Sequence, residues 1–146
     1  MSEPFKLVGD LYPSMAYALL ANETEATLVD VRTAAEWSFV GVPDLSGIRK
    51  ECIFLEWHIY PSMQQNQRFT VQLRDQLDAR NVSRSGALLF LCRSGVRSKS
   101  AAQAMMGLGF DRSINVLGGF EGPLDGSKHR GSTNGWKAAG LPWIQS

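Results

Sequence analysis

The chain has 146 residues, of which 44% are hydrophobic, enough for a domain that buries well over half of its unfolded surface. Fifteen basic and fourteen acidic residues leave a net charge of +1, which argues against nucleic acid or an anionic membrane as the main partner. The apolar runs are strand-sized, far short of the roughly 20 residues that a membrane span needs. We therefore expect residues 1–146 to form a single domain with no membrane partner.

The start of the chain and its cysteines predict the compartment. Residues 1–6 lack the basic and apolar regions of a secretory signal, so we expect a cytoplasmic protein. Cys52 and Cys92 are too few for a disulfide framework, and no metal-ligand spacing accompanies them. We therefore expect reduced thiols and neither a metal nor a cofactor.

The first half of the chain alternates between helical and strand patterns. In chain order these patterns predict a helix over residues 12–21, a strand over 27–31, a short helix from Thr33, a turn region over 41–47 and a strand over 52–58. Pro13 is tolerated in the first turn of the first helix. Thr33 and Glu36 have the spacing of a capping box, which sets the start of the second helix.

The second half continues the alternation. After a break over residues 61–66, the patterns predict a helix over residues 68–79, a strand over 87–91, a helix over 98–108 and a strand over 114–117. Phe69, Leu73 and Leu77 form one apolar stripe on the first of these helices. Strands that alternate with helices indicate an α/β fold whose sheet is mainly parallel and covered on both faces.

The junction between the strand at 87–91 and the next helix predicts a reactive cysteine. Cys92 ends the apolar run and opens a short polar loop that holds Arg93, Gly95 and Arg97. Converging backbone N–H groups, the positive end of the helix and two guanidinium groups all favour a thiolate. We predict that Cys92 is a nucleophile rather than a structural cysteine.

Strand direction predicts where this loop lies. In an open parallel sheet, ligands bind outside the carboxyl ends of the strands. Cys92, Arg32 and the segments 57–60 and 118–121 each follow a predicted strand, so we expect them to share one edge of the sheet. The glycine-rich stretch over residues 118–135 is either a surface loop or a wall of this site.

Three chemistries suit a thiolate among N–H donors and guanidinium groups. It can accept a sulfane sulfur as a persulfide, attack phosphorus as tyrosine phosphatases do, or reduce an oxyanion such as arsenate. Each combines an activated nucleophile with preorganised stabilisation of negative charge. The length of the loop and the residue before the cysteine discriminate between them.

An ordered set of motifs resembles a known family, the single-domain rhodaneses. The resemblance extends from about Val29 to Trp143. Its motifs are residues 28–33 (LVDVRT) with Glu36 and Trp37, residues 92–98 (CRSGVRS), residues 116–120 (VLGGF) and residues 134–143 (NGWKAAGLPW).

This resemblance implies a mainly parallel five-stranded sheet with helices on both faces. It also implies sulfur transfer through a persulfide on Cys92. The partners would be a small anionic sulfur donor such as thiosulfate and an acceptor such as cyanide, a small thiol or a protein. Residues 92–97 fill the six-residue loop of the family, and Leu91 stands where phosphatase relatives usually carry histidine before a longer loop. Sulfur is therefore favoured over phosphorus. The alternatives are a binding or sensing module without turnover and, less favoured, an oxyanion reductase or phosphatase.

The resemblance also implies roles for the loop and its supports. The backbone amides that would surround the terminal sulfur belong to Arg93, Ser94, Gly95, Val96 and Arg97. Gly95 allows a tight turn, and Arg93 and Arg97 would attract the donor. For Arg97 we leave open an alternative role, in which it holds the loop by bonding to nearby carbonyls or carboxylates. The remaining site residues are supports: Ser98 as the cap of the next helix, and Asp30 and Arg32 as braces of the loop.

The chain departs from the family at three places. Residues 40–44 replace the usual Gly-His-Ile-Pro-Gly, and residues 57–61 are rich in aromatics that form either a rim of the site or a packing cluster. Residues 125–132 add basic side chains, which we interpret as a solvated loop. A resolving role for Cys52 is not expected, because it lies at the opposite end of its strand from Cys92. His58 and His129 lack a partner motif for catalysis.

Overall fold

The computed structural model describes residues 8–145, so residues 1–6, on which the expectation about secretion rests, lie outside the described part. A 3₁₀ turn at Ser46–Ile48 precedes the strand at Ile53–Phe54. The helices and strands are, in chain order, β1 (Gly9–Leu11), α1 (Pro13–Asn22), β2 (Thr27–Asp30), α2 (Ala34–Phe39), β3 (Val42–Pro43), β4 (Ile53–Phe54), β5 (His58–Ile59), β6 (Gln64–Gln65), α3 (Phe69–Ala79), β7 (Leu88–Leu91), α4 (Val96–Met106), β8 (Ser113–Val116) and β9 (Trp143–Ile144).

Five strands form the main sheet in the order β1-β8-β7-β2-β4, and every pair is parallel. Asp30 pairs with Leu91, and Phe90 pairs with Asn115. Every residue of β2 and β7 is buried, as expected for central strands that are covered on both faces. The α/β class and the mainly parallel five-stranded sheet are confirmed.

The two faces of the sheet carry separate apolar cores. On one face, α3 and α4 cover alternate residues of β2 and β7, and the predicted stripe of Phe69, Leu73 and Leu77 is buried there. On the other face, α1 and the C-terminal Trp136 pack against the remaining residues of the same strands. This alternation follows from the period-two orientation of side chains along a strand.

Several predicted boundaries need correction. The predicted strand over residues 52–58 is only Ile53–Phe54, because His58 and Ile59 pair antiparallel with Gln65 and Gln64 in a separate hairpin. The edge strand Gly9–Leu11 was not predicted from any pattern, since three residues are too few to show a period. The predicted helix over residues 98–108 begins two residues earlier, at Val96.

The parallel sheet brings the carboxyl ends of its strands to one edge. The backbone of Val31 just beyond β2 donates to Leu91 at the end of β7, and Leu117 just beyond β8 donates to Leu11. The segments that follow β2, β7 and β8 therefore lie side by side, as strand direction predicted. Among residues 8–145, no helix is long and apolar enough to cross a membrane.

Candidate active site around Cys92

Cys92 lies immediately after β7, and only 1% of its surface is exposed. Its carbonyl accepts a hydrogen bond of 2.7 Å from the Phe120 N–H, in the segment that follows β8. The Arg93 carbonyl accepts from the N–H groups of Glu121 and Gly122 in the same segment. The segment that follows β8 therefore holds the start of the cysteine loop.

The cysteine sulfur lies inside a turn of backbone. The Gly95 N–H donates to Cys92 Sγ at 3.1 Å, and Gly95 has φ of 117°, in the region that favours glycine. A Cβ at this position would have ordinary van der Waals space, so the backbone angle, rather than crowding, requires the glycine. The amides of four further loop residues donate to no other group within residues 8–145: Arg93, Ser94, Val96 and Arg97. They remain available to an additional acceptor.

The capping role predicted for Ser98 is wrong. Helix α4 begins at Val96 after the N-cap Gly95, which places Ser98 inside the first turn, and no side chain caps the helix. The Ser98 hydroxyl instead faces the cysteine, with Oγ 3.2 Å from Cys92 Sγ, and donates to Asn115 Oδ1 at 2.5 Å. Ser98 is buried, and its support of the loop is a direct contact with the cysteine sulfur.

Two residues of the site were missed by sequence reasoning. Asn115 lies in β8 between apolar neighbours, and its amide nitrogen donates to Asp10 Oδ1 on β1 at 3.1 Å. A polar amide inside an otherwise apolar strand was a usable signal, because asparagine is depleted in strands. Asp10 gave no such signal, since its connection to the site spans 105 positions of sequence.

Arg97 forms a two-pronged ion pair with Glu36 of α2. Its two terminal nitrogens donate to the Glu36 carboxylate at 2.8 and 3.0 Å. Burial acts to raise the pKa of Glu36, but the hydrogen bonds and charge of Arg97, with bonds from Thr33, outweigh it, so this pKa lies below its ordinary value. Burial likewise opposes the charged form of Arg97, and Glu36 more than compensates and raises its pKa. Of the two roles predicted for Arg97, this geometry favours holding the loop.

Glu36 also fixes the start of α2. Its carboxylate accepts from the Thr33 N–H, while the Thr33 hydroxyl accepts from the Glu36 N–H, which is the predicted capping box. One carboxylate therefore joins the first turn of α2 to the first turn of α4. The sequence pattern predicted the cap but did not identify Glu36 as the partner of Arg97.

Arg93 has different surroundings from Arg97. It is exposed, and within residues 8–145 its guanidinium forms no hydrogen bond or ion pair. Ser94 is half-buried, and Val96 is 77% exposed at the mouth of the loop. The guanidinium of Arg93 is therefore the cation of the loop that is accessible to an anion in solution.

Asp30 and Arg32 are both fully buried and bonded to each other. Arg32 donates from Nε and Nη2 to the Asp30 carboxylate, at 2.7 Å for the shortest contact, and from Nη2 to the Gly41 carbonyl at 2.8 Å. Its guanidinium also stacks over the Phe120 ring at 4.2 Å. The pair thus braces the segments after β2 and β8 and has no surface with which to meet a substrate.

The segment after β8 approaches the cysteine loop closely. Gly119 has φ of 62°, and a Cβ there would lie 2.4 Å from the Cys92 carbonyl oxygen and 2.6 Å from the Arg93 carbonyl carbon. The following loop is tied to this segment, because the Gly131 N–H donates to the Glu121 carbonyl. The glycine-rich stretch therefore forms a wall behind the cysteine loop at its start.

The basic loop over residues 125–132 is ordered largely by its own aspartate. Asp125 accepts from the N–H groups of Ser127 and His129 and from the Ser132 hydroxyl. These bonds hold the pKa of Asp125 below its ordinary value. Lys128 and His129 are exposed, consistent with the interpretation of a solvated loop.

The other features singled out in the sequence lie in the scaffold. Trp57 is buried against Phe69 with ring centroids 5.0 Å apart, as a packing residue, whereas Tyr60 is 55% exposed. Burial, with the nearby Asp30 carboxylate, raises the pKa of the Cys52 thiol well above its usual range. Cys52 and Cys92 are both free and belong to different apolar cores.

The arrangement combines a nucleophilic atom with donors for an anion. A sulfur at the end of a buried strand accepts a hydrogen bond from one amide of its loop, other amides of that loop have no partner within residues 8–145, and an accessible guanidinium lies in the same loop. Such donors stabilise negative charge that develops on an atom bound to the sulfur. The site therefore suits the formation of an anionic adduct on Cys92.

Comparison with known proteins identifies related sequences and structures. Residues 12–146 match the model of a protein family described as the STR4 middle domain. The crystal structure of Rv0390 from M. tuberculosis superposes with a TM-score of 0.86 and 44% identity, over 97% of this chain and 100% of that chain.

Sequence relatives include one without an assigned role and one with a named activity. The uncharacterized protein RC0915 of Rickettsia conorii is 35% identical over 136 residues, covering 93% of this chain and 97% of its own length. The thiosulfate sulfurtransferase GlpE of Actinobacillus pleuropneumoniae is 28% identical over 142 residues, covering 97% of this chain and 95% of its own length. A sulfurtransferase relationship therefore spans almost the whole chain.

Proposed function

The chain belongs to the STR4 middle domain family, a rhodanese-like family, and on that premise we propose that it transfers sulfane sulfur through a persulfide on Cys92. The donor is a small anion such as thiosulfate, and the acceptor is a thiophile such as cyanide, a small thiol or a protein. The named activity of the relative GlpE supports this reaction class. The unoccupied amides of the loop whose Gly95 N–H donates to Cys92 Sγ support it most directly.

In the first half-reaction, the Cys92 thiolate attacks the outer sulfur of thiosulfate. A bond forms between Sγ and that sulfur, and sulfite leaves with the electron pair of the broken S–S bond. The product is a cysteine persulfide whose terminal sulfur is negatively charged. This is nucleophilic catalysis, which divides one transfer into two displacements.

The loop stabilises this intermediate through its amides. The terminal sulfur stands about 2 Å beyond Sγ and needs donors that Sγ does not already use. Gly95 donates to Sγ itself, while the amides of Arg93, Ser94, Val96 and Arg97 have no partner within residues 8–145. Preorganised backbone donors of this kind are effective because they need no reorganisation as charge develops.

In the second half-reaction, the acceptor attacks the terminal sulfur. With cyanide, a carbon–sulfur bond forms and the S–S bond of the persulfide breaks. Thiocyanate leaves, and the electron pair of the broken bond stays on Cys92, which returns to the thiolate. No metal, oxidant or cofactor enters this balance. Arg93 is the exposed cation that attracts the anionic donor before the first step.

Thiocyanate formation from thiosulfate and cyanide tests the proposal. Wild type should turn over, and Cys92→Ser should lose at least about 10³-fold in kcat/KM because it removes the sulfur carrier. Cys52→Ser is the matched control and should retain wild-type turnover, since its thiol lies in the other core.

Turnover by Cys92→Ser would overturn the mechanism. A wild type that forms no thiocyanate but hydrolyses an aryl phosphate would instead support the phosphatase alternative. Retention of thiosulfate by a wild type that forms neither persulfide nor product would support a sensing module.

A further inference from the structure

A hydrogen-bonded chain runs from the surface of the protein to the cysteine sulfur. Asp10 on β1 accepts from Asn115 Nδ2 at 3.1 Å, and Asn115 Oδ1 accepts from the Ser98 hydroxyl at 2.5 Å. Ser98 Oγ then lies 3.2 Å from Cys92 Sγ. Asp10 is exposed, whereas the other three residues are buried.

The carboxylate of Asp10 dictates the direction of every bond in this chain. An ionised carboxylate only accepts hydrogen bonds, so the Asn115 amide must turn its NH₂ group toward Asp10 and its oxygen toward Ser98. The Ser98 hydroxyl has one hydrogen, which it donates to that oxygen. Ser98 therefore presents a lone pair, and not its hydrogen, to the cysteine.

A lone pair at 3.2 Å has opposite effects on the two forms of the cysteine. It accepts a hydrogen bond from the S–H of a neutral thiol, but it repels a thiolate. To donate to a thiolate, Ser98 would have to release Asn115 Oδ1, which is buried and would lose its partner. We propose that Asp10 and Asn115 are positioning residues that disfavour the thiolate form of Cys92 by fixing the direction of the Ser98 hydroxyl.

Other charges near the loop are mostly compensated. Arg32 is paired with Asp30, and Arg97 is paired with Glu36. The remaining charged side chains on the adjoining segments include Arg93 in the loop, Lys99 on α4, Glu121 after β8 and Asp10 itself. Because Arg32 and Arg97 are neutralised by carboxylates, the direction of the Ser98 hydrogen bond has a larger influence on the reactivity of Cys92.

This inference rests on the proposed function, since it concerns the nucleophile of that reaction. It gives Asp10 a regulatory role: loss of its bond to Asn115 allows the amide to rotate, donate to Ser98 and let Ser98 donate to the sulfur. A ligand or partner that draws the Asp10 carboxylate away from Asn115 would therefore activate the cysteine.

The pH dependence of Cys92 alkylation tests the role of Asp10 without requiring sulfur transfer. Iodoacetamide labelling of the Cys92 peptide is followed by mass spectrometry from pH 5 to 10 in wild type, Asp10→Ala, Ser98→Ala and the double variant. Asp10→Ala should lower the pH midpoint by about 0.5–1 unit, the size of one hydrogen bond. In the Ser98→Ala background, the same substitution should produce no shift, because the effect passes through Ser98.

Two results would overturn the proposal. An unchanged or higher pH midpoint of Cys92 alkylation in Asp10→Ala would show that Asp10 does not disfavour the thiolate. An equal downward shift in both backgrounds shows that Asp10 acts only through its charge. Asp78→Ala, which removes an exposed carboxylate on α3, is the control for loss of charge and should leave the midpoint unchanged. If thiocyanate formation fails while the predicted shifts appear, the proposed function is wrong and the positioning role stands.

Discussion

Arg93 and Arg97 are four positions apart in one loop, yet they carry their charges into different surroundings. Arg97 is largely buried and bonded to Glu36, whereas Arg93 faces solvent. A buried, paired guanidinium holds structure, and an exposed one attracts anions over a distance. At the scale of single residues, the loop therefore divides anchoring and attraction between its two arginines.

Arg93→Ala should weaken the productive binding of an anionic donor. We expect KM for thiosulfate to rise about three- to tenfold, with kcat nearly unchanged, because an exposed charge acts mainly before the chemical step. Arg74→Ala, which removes a partly exposed arginine on α3, should leave KM unchanged. Steady-state kinetics at low ionic strength measures the effect, and an unchanged KM for Arg93→Ala would show that this guanidinium plays no part in donor binding.

Glu36→Gln should destabilise the fold in a pH-dependent way. The pKa of Glu36 is below its ordinary value of 4.5 in the folded protein, so its contribution is complete above that pH and is lost as the pH falls through the folded pKa. At pH 7 the variant should lose about 1–2 kcal/mol of unfolding free energy, the size of a charge-assisted hydrogen bond.

Urea unfolding of wild type and Glu36→Gln between pH 3 and 7 checks this dependence. The two proteins should differ at neutral pH and converge below pH 4.5. Glu51→Gln removes an exposed carboxylate and is the control. A difference that stays constant over this pH range would contradict the assigned role of the ion pair.

At the scale of elements, the cysteine loop depends on a segment that follows a different strand. Phe120, Glu121 and Gly122 donate three backbone hydrogen bonds to the carbonyls of Cys92 and Arg93. These bonds require the chain to pass so closely that no side chain fits at Gly119. The conformation of the cysteine loop is therefore set by the segment after β8 as much as by the loop's own sequence.

Gly119→Ala should break this contact. The added Cβ would collide with the backbone of Cys92 and Arg93, and the residue would keep a positive φ that alanine disfavours. We expect a loss of about 2 kcal/mol or more in unfolding free energy. Alkylation of Cys92 should be slower in the same variant.

Gly126→Ala is the matched control, because a Cβ there has nothing within 4 Å. It should leave both the unfolding free energy and the labelling of Cys92 close to wild type. Equal stability of the two alanine variants in urea would refute the close approach at Gly119.

At the scale of the whole molecule, strand and helix alternation was sufficient to predict the parallel sheet and the edge at which Cys92 lies. The buried strands β2 and β7 and the apolar stripe of α3 carry that information locally. The β5–β6 hairpin was not predicted because each of its strands has two residues. Such elements are decided by tertiary contacts rather than by periodicity.

For the site too, the sequence predicted local features and did not predict contacts between distant residues. Cys92 and its loop follow from a contiguous motif, whereas the partners of the loop lie far away in sequence. Glu36 bonds to Arg97 across 61 positions and Asp10 to Asn115 across 105. Pairings of this kind become visible only when the sheet has brought the strand ends together.

Intact mass of the protein after incubation with thiosulfate, with and without cyanide, tests the persulfide on Cys92 most directly. We predict a gain of one sulfur atom that peptide mapping places on Cys92, that cyanide removes, and that Cys92→Ser never acquires. A protein that alkylates readily at Cys92 yet gains no sulfur from thiosulfate, or gains it at Cys52, would contradict the proposed sulfur carrier.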